Sequence, residues 1–286
     1  MNIIQIIADE INIKENKVLN TVKLLDEGNT VPFIARYRKE MTGELDESII
    51  REIESKLDYI RNLENRKQEV IRLIDEQEKL TKELEEKIKN AKVLQEVEDL
   101  YRPYRPKRRT RASMAKEKGL EPLAEAIFEQ EMTEEKLINF ALSFVDEEKD
   151  ILSVDDAIQG AQDIIAEWVS DNAQYRQIIR ELTIKEGILT AEGKESQKSE
   201  YEIYYDYKEH IKTIPPYRIL AINRGEREKI LSVKIAFPEE KLLNYLKSQT
   251  IKKVDSTLSE YVLEAVEDAY KRLISPSIER EIRNSL

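Results

Sequence analysis

Two apolar stripes with a short polar break between them constrain this chain more than anything else in it. Ile53, Leu57, Ile60, Leu63, Val70 and Ile74 recur at spacings of 3, 4 and 7. After Gln77 to Thr81 the pattern resumes with Leu84, Ile88, Ala91, Leu94, Val97 and Tyr101. Only an α-helix brings residues at those intervals onto one side. The other faces are Glu, Lys and Arg, which suits a solvated surface with i,i+4 pairs. Two such helices bury their stripes most simply against each other. The pattern therefore predicts a long antiparallel hairpin with coiled-coil-like packing over about residues 46–101, with Asp46 as its N-cap. Leu57, Ile60 and Leu63 are expected to face Leu84, Ile88 or Leu94.

Composition agrees with a helical chain. Glycine is 7 and proline 8 of 286 residues, well under the usual ~7% and ~5%. Turn-rich β barrels and sandwiches use more of both. There is no cysteine and a single histidine, His210, so disulfide frameworks, thiolate zinc sites and two-His metal sites are excluded. Mean hydropathy is −0.60, with 37% charged and 40% hydrophobic residues, too apolar for disorder. No run of about 18 uncharged apolar residues suggests a membrane span. The amino terminus has neither a basic region nor a cleavage site of a signal peptide. The expectation is a cytoplasmic, mainly α protein: an elongated multi-helical assembly with a small α+β patch.

The remaining elements follow from period and punctuation. Residues 1–45 read as short helices, with Gly28 placed as a C′ residue and Pro32 in a first turn. They form either a helix-turn-helix-like unit or a plain helical subdomain. Residues 102–186 read as a helical domain opening with a basic loop. Within it Thr133 caps one helix, Ser153 or Asp155 caps the next, and a further helix covers roughly 171–186. Residues 187–238 form the α+β patch. KILSVKIAF is its best strand, ILTAEG is short and β-like, and YEIYYDY fits either strand or irregular helix. Residues 239–286 are helical again, with Ser275-Pro276 expected to break the last helix. KILSVKIAF pairs either with ILTAEG or with something outside this chain, because an unpaired strand strands its backbone groups.

No constellation for catalysis stands out. GILTAEGKE, from Gly187 to Glu195, has five residues between its glycines where a P-loop needs four, and Lys194 precedes Glu195 rather than Ser or Thr. Asp155-Asp156 suits the first turn of a helix through the macrodipole. His210, near Glu209 and Asp206, lacks a nucleophile to serve. No enzyme activity, metal or cofactor is expected.

Several segments resemble the amino-terminal part of the Tex family of bacterial transcription accessory proteins, related to a eukaryotic transcription elongation factor. They are VPFIARYRKEMTGELD (31–46), VEDLYRPYRPKRRTRASMAKEKGLEPLA (97–124), DAIQGAQDIIAEW (156–168), RILAINRGERE (218–228) and DAYKRLISPSIEREIR (268–283). The chain departs from the family at Tyr217, where a histidine tends to precede the arginine. The resemblance implies a scaffold region followed, in the whole protein, by YqgF-type RNase H-like, helix-hairpin-helix and OB-fold domains. Those domains are missing here, so the resemblance implies a fragment. It also implies association with nucleic acid and transcription.

One stretch is charged unlike the rest. The chain holds 47 Lys and Arg against 58 Asp and Glu, net −11. YRPYRPKRRTR, from Tyr101 to Arg111, contributes +6 by itself, which leaves −17 elsewhere. Guanidinium groups pair with phosphates and tyrosines stack on bases. The candidate nucleic-acid-binding residues are therefore Tyr101, Arg102, Tyr104, Arg105, Lys107, Arg108, Arg109 and Arg111, toward RNA or DNA. Arg105, Lys107, Arg108 and Arg109 lie past the helix stop at Pro103 and Pro106 and are expected to be free. Arg102 and Arg111 sit nearer helices and are expected to be paired. The alternative is a protein-interaction module docking on transcription or translation machinery, with the basic loop as a structural clamp.

Overall fold

The computed structural model describes residues 2–193, 198–253 and 256–286. Its contacts divide the chain into two compact units, Met1–Tyr101 and Arg102–Leu286.

The elements of the first unit, among its described residues, are all helices: α1 (Ile3–Ile11), α2 (Glu15–Asp26), α3 (Val31–Tyr37), α4 (Lys39–Thr42), α5 (Glu47–Asp75), α6 (Lys82–Asn90) and α7 (Leu94–Tyr101). Asp46 opens α5 as the sequence predicts, its carboxylate accepting from the Ile49 N–H at 2.9 Å. Gly43 takes a left-handed conformation, φ 69°, and a Cβ there would lie 2.8 Å from the Lys17 side chain. Glycine alone fits that turn at no cost.

The apolar stripe of α5 is buried, but it serves two partners. Ile50, Ile53, Leu57 and Ile60 join one core with Ile7, Val18, Leu24, Val31 and Ile34 from the helices before it. The half carrying Leu63, Lys67, Val70 and Ile74 meets α6 and α7, where Lys67 donates to the Lys89 carbonyl at 3.0 Å and Arg66 pairs with Glu98 at 2.6 Å. The expectation that Leu57 and Ile60 face the second arm is thus corrected. At 1.5 Å per residue, the 29 residues of α5 outrun α6 and α7, and the amino-terminal helices cover the excess. The second arm is also broken. Ala91 adopts extended backbone, and side chains stand in for helical carbonyls. The Lys92 N–H donates to Glu96 at 2.6 Å and the Leu94 N–H to the Tyr59 hydroxyl at 3.3 Å.

The second unit is built around α11 (Val154–Asp171), whose Ala157, Ala161, Ile164 and Ile165 are fully buried. Ser153 caps it, accepting from the Asp156 N–H at 3.1 Å. Around it pack α8 (Arg111–Glu117), α9 (Glu121–Glu129), α10 (Glu134–Leu142), α12 (Ala173–Glu186) and, later in the chain, α15 (Leu258–Asp268). Thr133 occupies the N-cap of α10, yet its side chain makes no capping hydrogen bond. Between α12 and α15 come α13 (Pro216–Arg227) and α14 (Glu239–Thr250).

The α+β patch closes as a three-stranded antiparallel sheet of β1 (Ile188–Gly193), β2 (Asp206–His210) and β3 (Leu231–Ala236), in the order β2-β1-β3. ILTAEG is the central strand, with Leu189 opposite Ile235 and Ala191 opposite Val233. Alternation along β3 buries Leu231, Val233 and Ile235 and exposes the residues between them, as a half-buried strand requires. YEIYYDY divides into a short 3-10 turn, Glu202–Tyr204, and the start of β2. Lys194 and Glu195 of the rejected phosphate-loop segment lie outside the described residues.

Pro276 does not break the last helix. The chain runs from α15 through a π-helical turn, Ala269–Ile274, directly into α16 (Ser275–Ser285). A wider turn ahead of Pro276 accommodates a ring that would clash in a regular α-helix and a residue with no N–H to donate.

Candidate nucleic-acid interface

The basic segment leaves α7, makes a 3-10 turn over Arg102–Tyr104, and ends where Thr110 caps α8. Thr110 and Ser113 exchange reciprocal bonds of 2.9 and 2.8 Å, a capping box that fixes the loop's exit. Its floor is α11. Asp163, Glu167 and Asp171 stand at steps of four residues and so share one face of that helix.

That acidic ladder sorts the cations. Arg102 Nε donates to Asp171 at 3.2 Å. Lys107 bonds Asp171 and also lies 3.2 Å from Glu167. Lys116 joins Glu167 at 3.3 Å, and the Thr110 hydroxyl donates to the same carboxylate at 3.3 Å. Lys107, expected to be free, is therefore clamped; its flexible stem reaches back to carboxylates 60 or more residues ahead in sequence. Arg111 faces Asp163 electrostatically. Arg105, Arg108 and Arg109 are exposed and form no hydrogen bond or ion pair through their guanidinium groups with any described residue.

The tyrosines differ from one another. Tyr104 is half-buried at the turn. Tyr101 belongs to the first unit, is 5% exposed, and has the Arg66 guanidinium 5.4 Å from its ring centroid. That ring is committed to packing, so its inclusion among stacking residues is corrected.

The half-buried carboxylates Asp163 and Glu167 feel both burial and the cations. Burial pushes Glu167 up, but Lys107 and Lys116 outweigh it and hold the carboxyl below the usual range. Burial raises Asp163, and Arg272 and Arg111 offset only part of the effect. Arg272 reaches Asp163 at 3.2 Å from the π-helical turn. A groove of about 380 Å³ opens among Arg102, Arg105, Arg111 and Arg272 on one side of Arg111. A second, of about 590 Å³, includes Arg109 and Lys118 on the other.

Sequence reasoning located the basic residues but not the ladder beneath them. The signal is present in the sequence as three acids, Asp163, Glu167 and Asp171, at helical i,i+4 spacing. Among the described residues no group of three or more His, Asp or Glu is placed to hold a metal ion. His210 is exposed at the end of β2. None of the described helices is long and apolar enough to cross a membrane.

The architecture defines a mainly α-helical class of protein, with an arginine-rich loop seated on an acidic helix face. The chain belongs to the Tex family: residues 1–75 match the Tex-like protein N-terminal domain, and residues 133–286 match the Tex central region-like family. The basic loop falls between the two matched stretches. The chain is 49% identical over 286 residues to the uncharacterized protein YdcI of Bacillus subtilis, covering 99% of this chain and 40% of that one. It is 42% identical over 236 residues to protein tex of Bordetella pertussis, covering 82% and 30%. Over 240 residues it is 36% identical to the transcriptional accessory protein Tex of Neisseria gonorrhoeae, covering 83% and 31%. It thus spans 30–40% of the length of these relatives.

Proposed function

We propose that this chain is a non-catalytic scaffold section of a transcription-associated protein, and that it holds RNA or DNA by the phosphate backbone. The observation that carries this reading is the sorting of the basic loop. Arg102 and Lys107 anchor it to α11, while Arg105, Arg108 and Arg109 project without ion-pair partners among the described residues. Anchoring fixes where the free guanidinium groups point, and a local positive patch on an acidic body draws phosphate there and repels it elsewhere. The relative named as a transcriptional accessory protein supports the setting.

The test is a triple substitution, Arg105→Gln, Arg108→Gln and Arg109→Gln, in the full chain. Binding to single- and double-stranded DNA and RNA is measured at two salt concentrations. Affinity is expected to fall across sequences, and the duplex salt slope to shrink by about 0.9 per lost phosphate contact, with the fold intact.

The second reading is a protein-interaction module in which the loop is only a clamp. The pairing of Arg102 and Lys107 with Asp171 favours it. Unchanged affinity in the triple variant, together with a lower melting temperature in Lys107→Gln, selects it.

A further inference from the structure

The first unit exposes a group of side chains that its fold does not use. Phe33, Tyr37 and Met41 recur every four residues through α3 and α4 and are 37%, 68% and 51% exposed. The Phe33 and Tyr37 rings lie 5.3 Å apart at 45°, and the Arg38 guanidinium sits 5.6 Å from the Phe33 centroid. Arg36, Arg38 and Lys39 are all exposed and form no ion pair with a described residue. Lys39 acts only at a distance, on Asp46. Glu40 is the single acid between Val31 and Gly43.

The backbone under these side chains is held firmly. Asn20 donates to the Met41 carbonyl at 2.9 Å and Lys17 to the Gly43 carbonyl at 2.7 Å, both from α2. Thr42 is fully buried, and Ile34 and Val31 belong to the core. The kink at Arg38, φ −127° and ψ 22°, separates α3 from α4. A rigid backbone with exposed rings, and with cations that form no ion pair with a described residue, is pre-organised for a ligand that needs both.

We propose that Tyr37, buttressed by Phe33, is a stacking platform for a base of single-stranded nucleic acid, with Arg36, Arg38 and Lys39 contacting the flanking phosphates. The charge decides between occupants. A docking surface for an apolar protein face is depleted of charge at its centre; here cations alternate with the rings. Base stacking is tolerant of sequence and pairs naturally with cationic contacts to the backbone. Duplex DNA hides its base faces, so the platform selects single strands. The site belongs to the first unit and the basic loop to the second, so the proposal rests on its own observations.

The experiment uses the full chain and three ligands: a single-stranded uridine oligonucleotide, an abasic sugar–phosphate chain of equal length, and a duplex. The double variant Phe33→Ala, Tyr37→Ala is expected to lose about tenfold or more in single-strand affinity. Its affinity for the abasic chain and the duplex should not change. Tyr37→Trp should retain single-strand binding. Because both side chains are exposed, circular dichroism and melting should match the parent protein. The triple arginine variant of the basic loop should leave the ratio of uridine to abasic affinity unaltered, which separates the two sites. Three results overturn the proposal: undiminished single-strand affinity in the folded double variant, equal affinity of the parent for the abasic chain, or no single-strand binding by the parent. Competition by polyglutamate that is lost in the double variant also overturns it, in favour of an acidic protein partner.

Discussion

The backbone N–H of Ile235 donates to the Glu279 carboxylate at 2.8 Å. Ile235 lies in β3, which pairs with β1 on one side only, and Glu279 comes from α16. A helix side chain thus satisfies a donor on the open edge of the sheet, where an unpaired group is costly. Glu279→Ala is expected to accelerate exchange of the Ile235 amide by about tenfold or more, as loss of a charge-assisted bond of about 2 kcal/mol requires. The amides of β1 should change far less. Hydrogen exchange read residue by residue makes the comparison, and uniform acceleration of both strands would count against the assignment.

Glu167 ties the basic loop to pH. Burial raises its carboxyl, yet Lys107 and Lys116 hold the folded-state pKa below the ordinary value. The pair therefore contributes stability that is present above the unfolded carboxylate pKa and is lost as pH falls through the folded pKa. Glu167→Gln should cost about 2 kcal/mol at neutral pH and flatten the acid limb of the stability curve. Urea unfolding at a series of pH values from neutral to acid measures both. A variant that keeps the parent's acid limb would remove Glu167 from this role.

Leu57 is 3% exposed within the core of the first unit. Leu57→Ala is expected to destabilise by about 2–4 kcal/mol. Its partners are amino-terminal helices rather than α6 and α7, so deleting contacts on α1 should couple to it. A double-mutant cycle with Ile7→Val tests the coupling; additivity with Ile7 would place Leu57 elsewhere.

Gly160 carries α11 past α9's lead-in. A Cβ at that position would come within 2.4 Å of a Leu120 methyl, and Leu120 is 1% exposed. Gly160→Ala should cost about 1–3 kcal/mol through overpacking despite its better helix propensity. The companion variant Gly160→Ala, Leu120→Ala should recover part of that loss in thermal unfolding, and no recovery would point to a different clash.

Much of the fold is legible in sequence because it is local. The stripes of α5, the Asp46 cap and the alternation of KILSVKIAF each depend on neighbours within a few residues. α13 is not legible in sequence because PYRILAINRGER spreads polar and apolar groups around the helix and leaves Tyr217 and Leu220 exposed. Pro276 reads as a stop because a proline's local effect is clear, while a π-helical turn ahead of it is not signalled in sequence.

The candidate site divides the same way. Sequence alone determined that six cations crowd a proline-punctuated loop on an acidic chain, and that helices carry nearly everything else. Which of those cations remain available was decided only by tertiary structure. Lys107 meets Asp171 across 64 residues of sequence, and Arg176, fully buried, meets Glu281 across 105. Periodicity is written in bond geometry that each residue carries with it. Charge pairing depends on distance in space, and packing sets that distance only after the helices have chosen their neighbours.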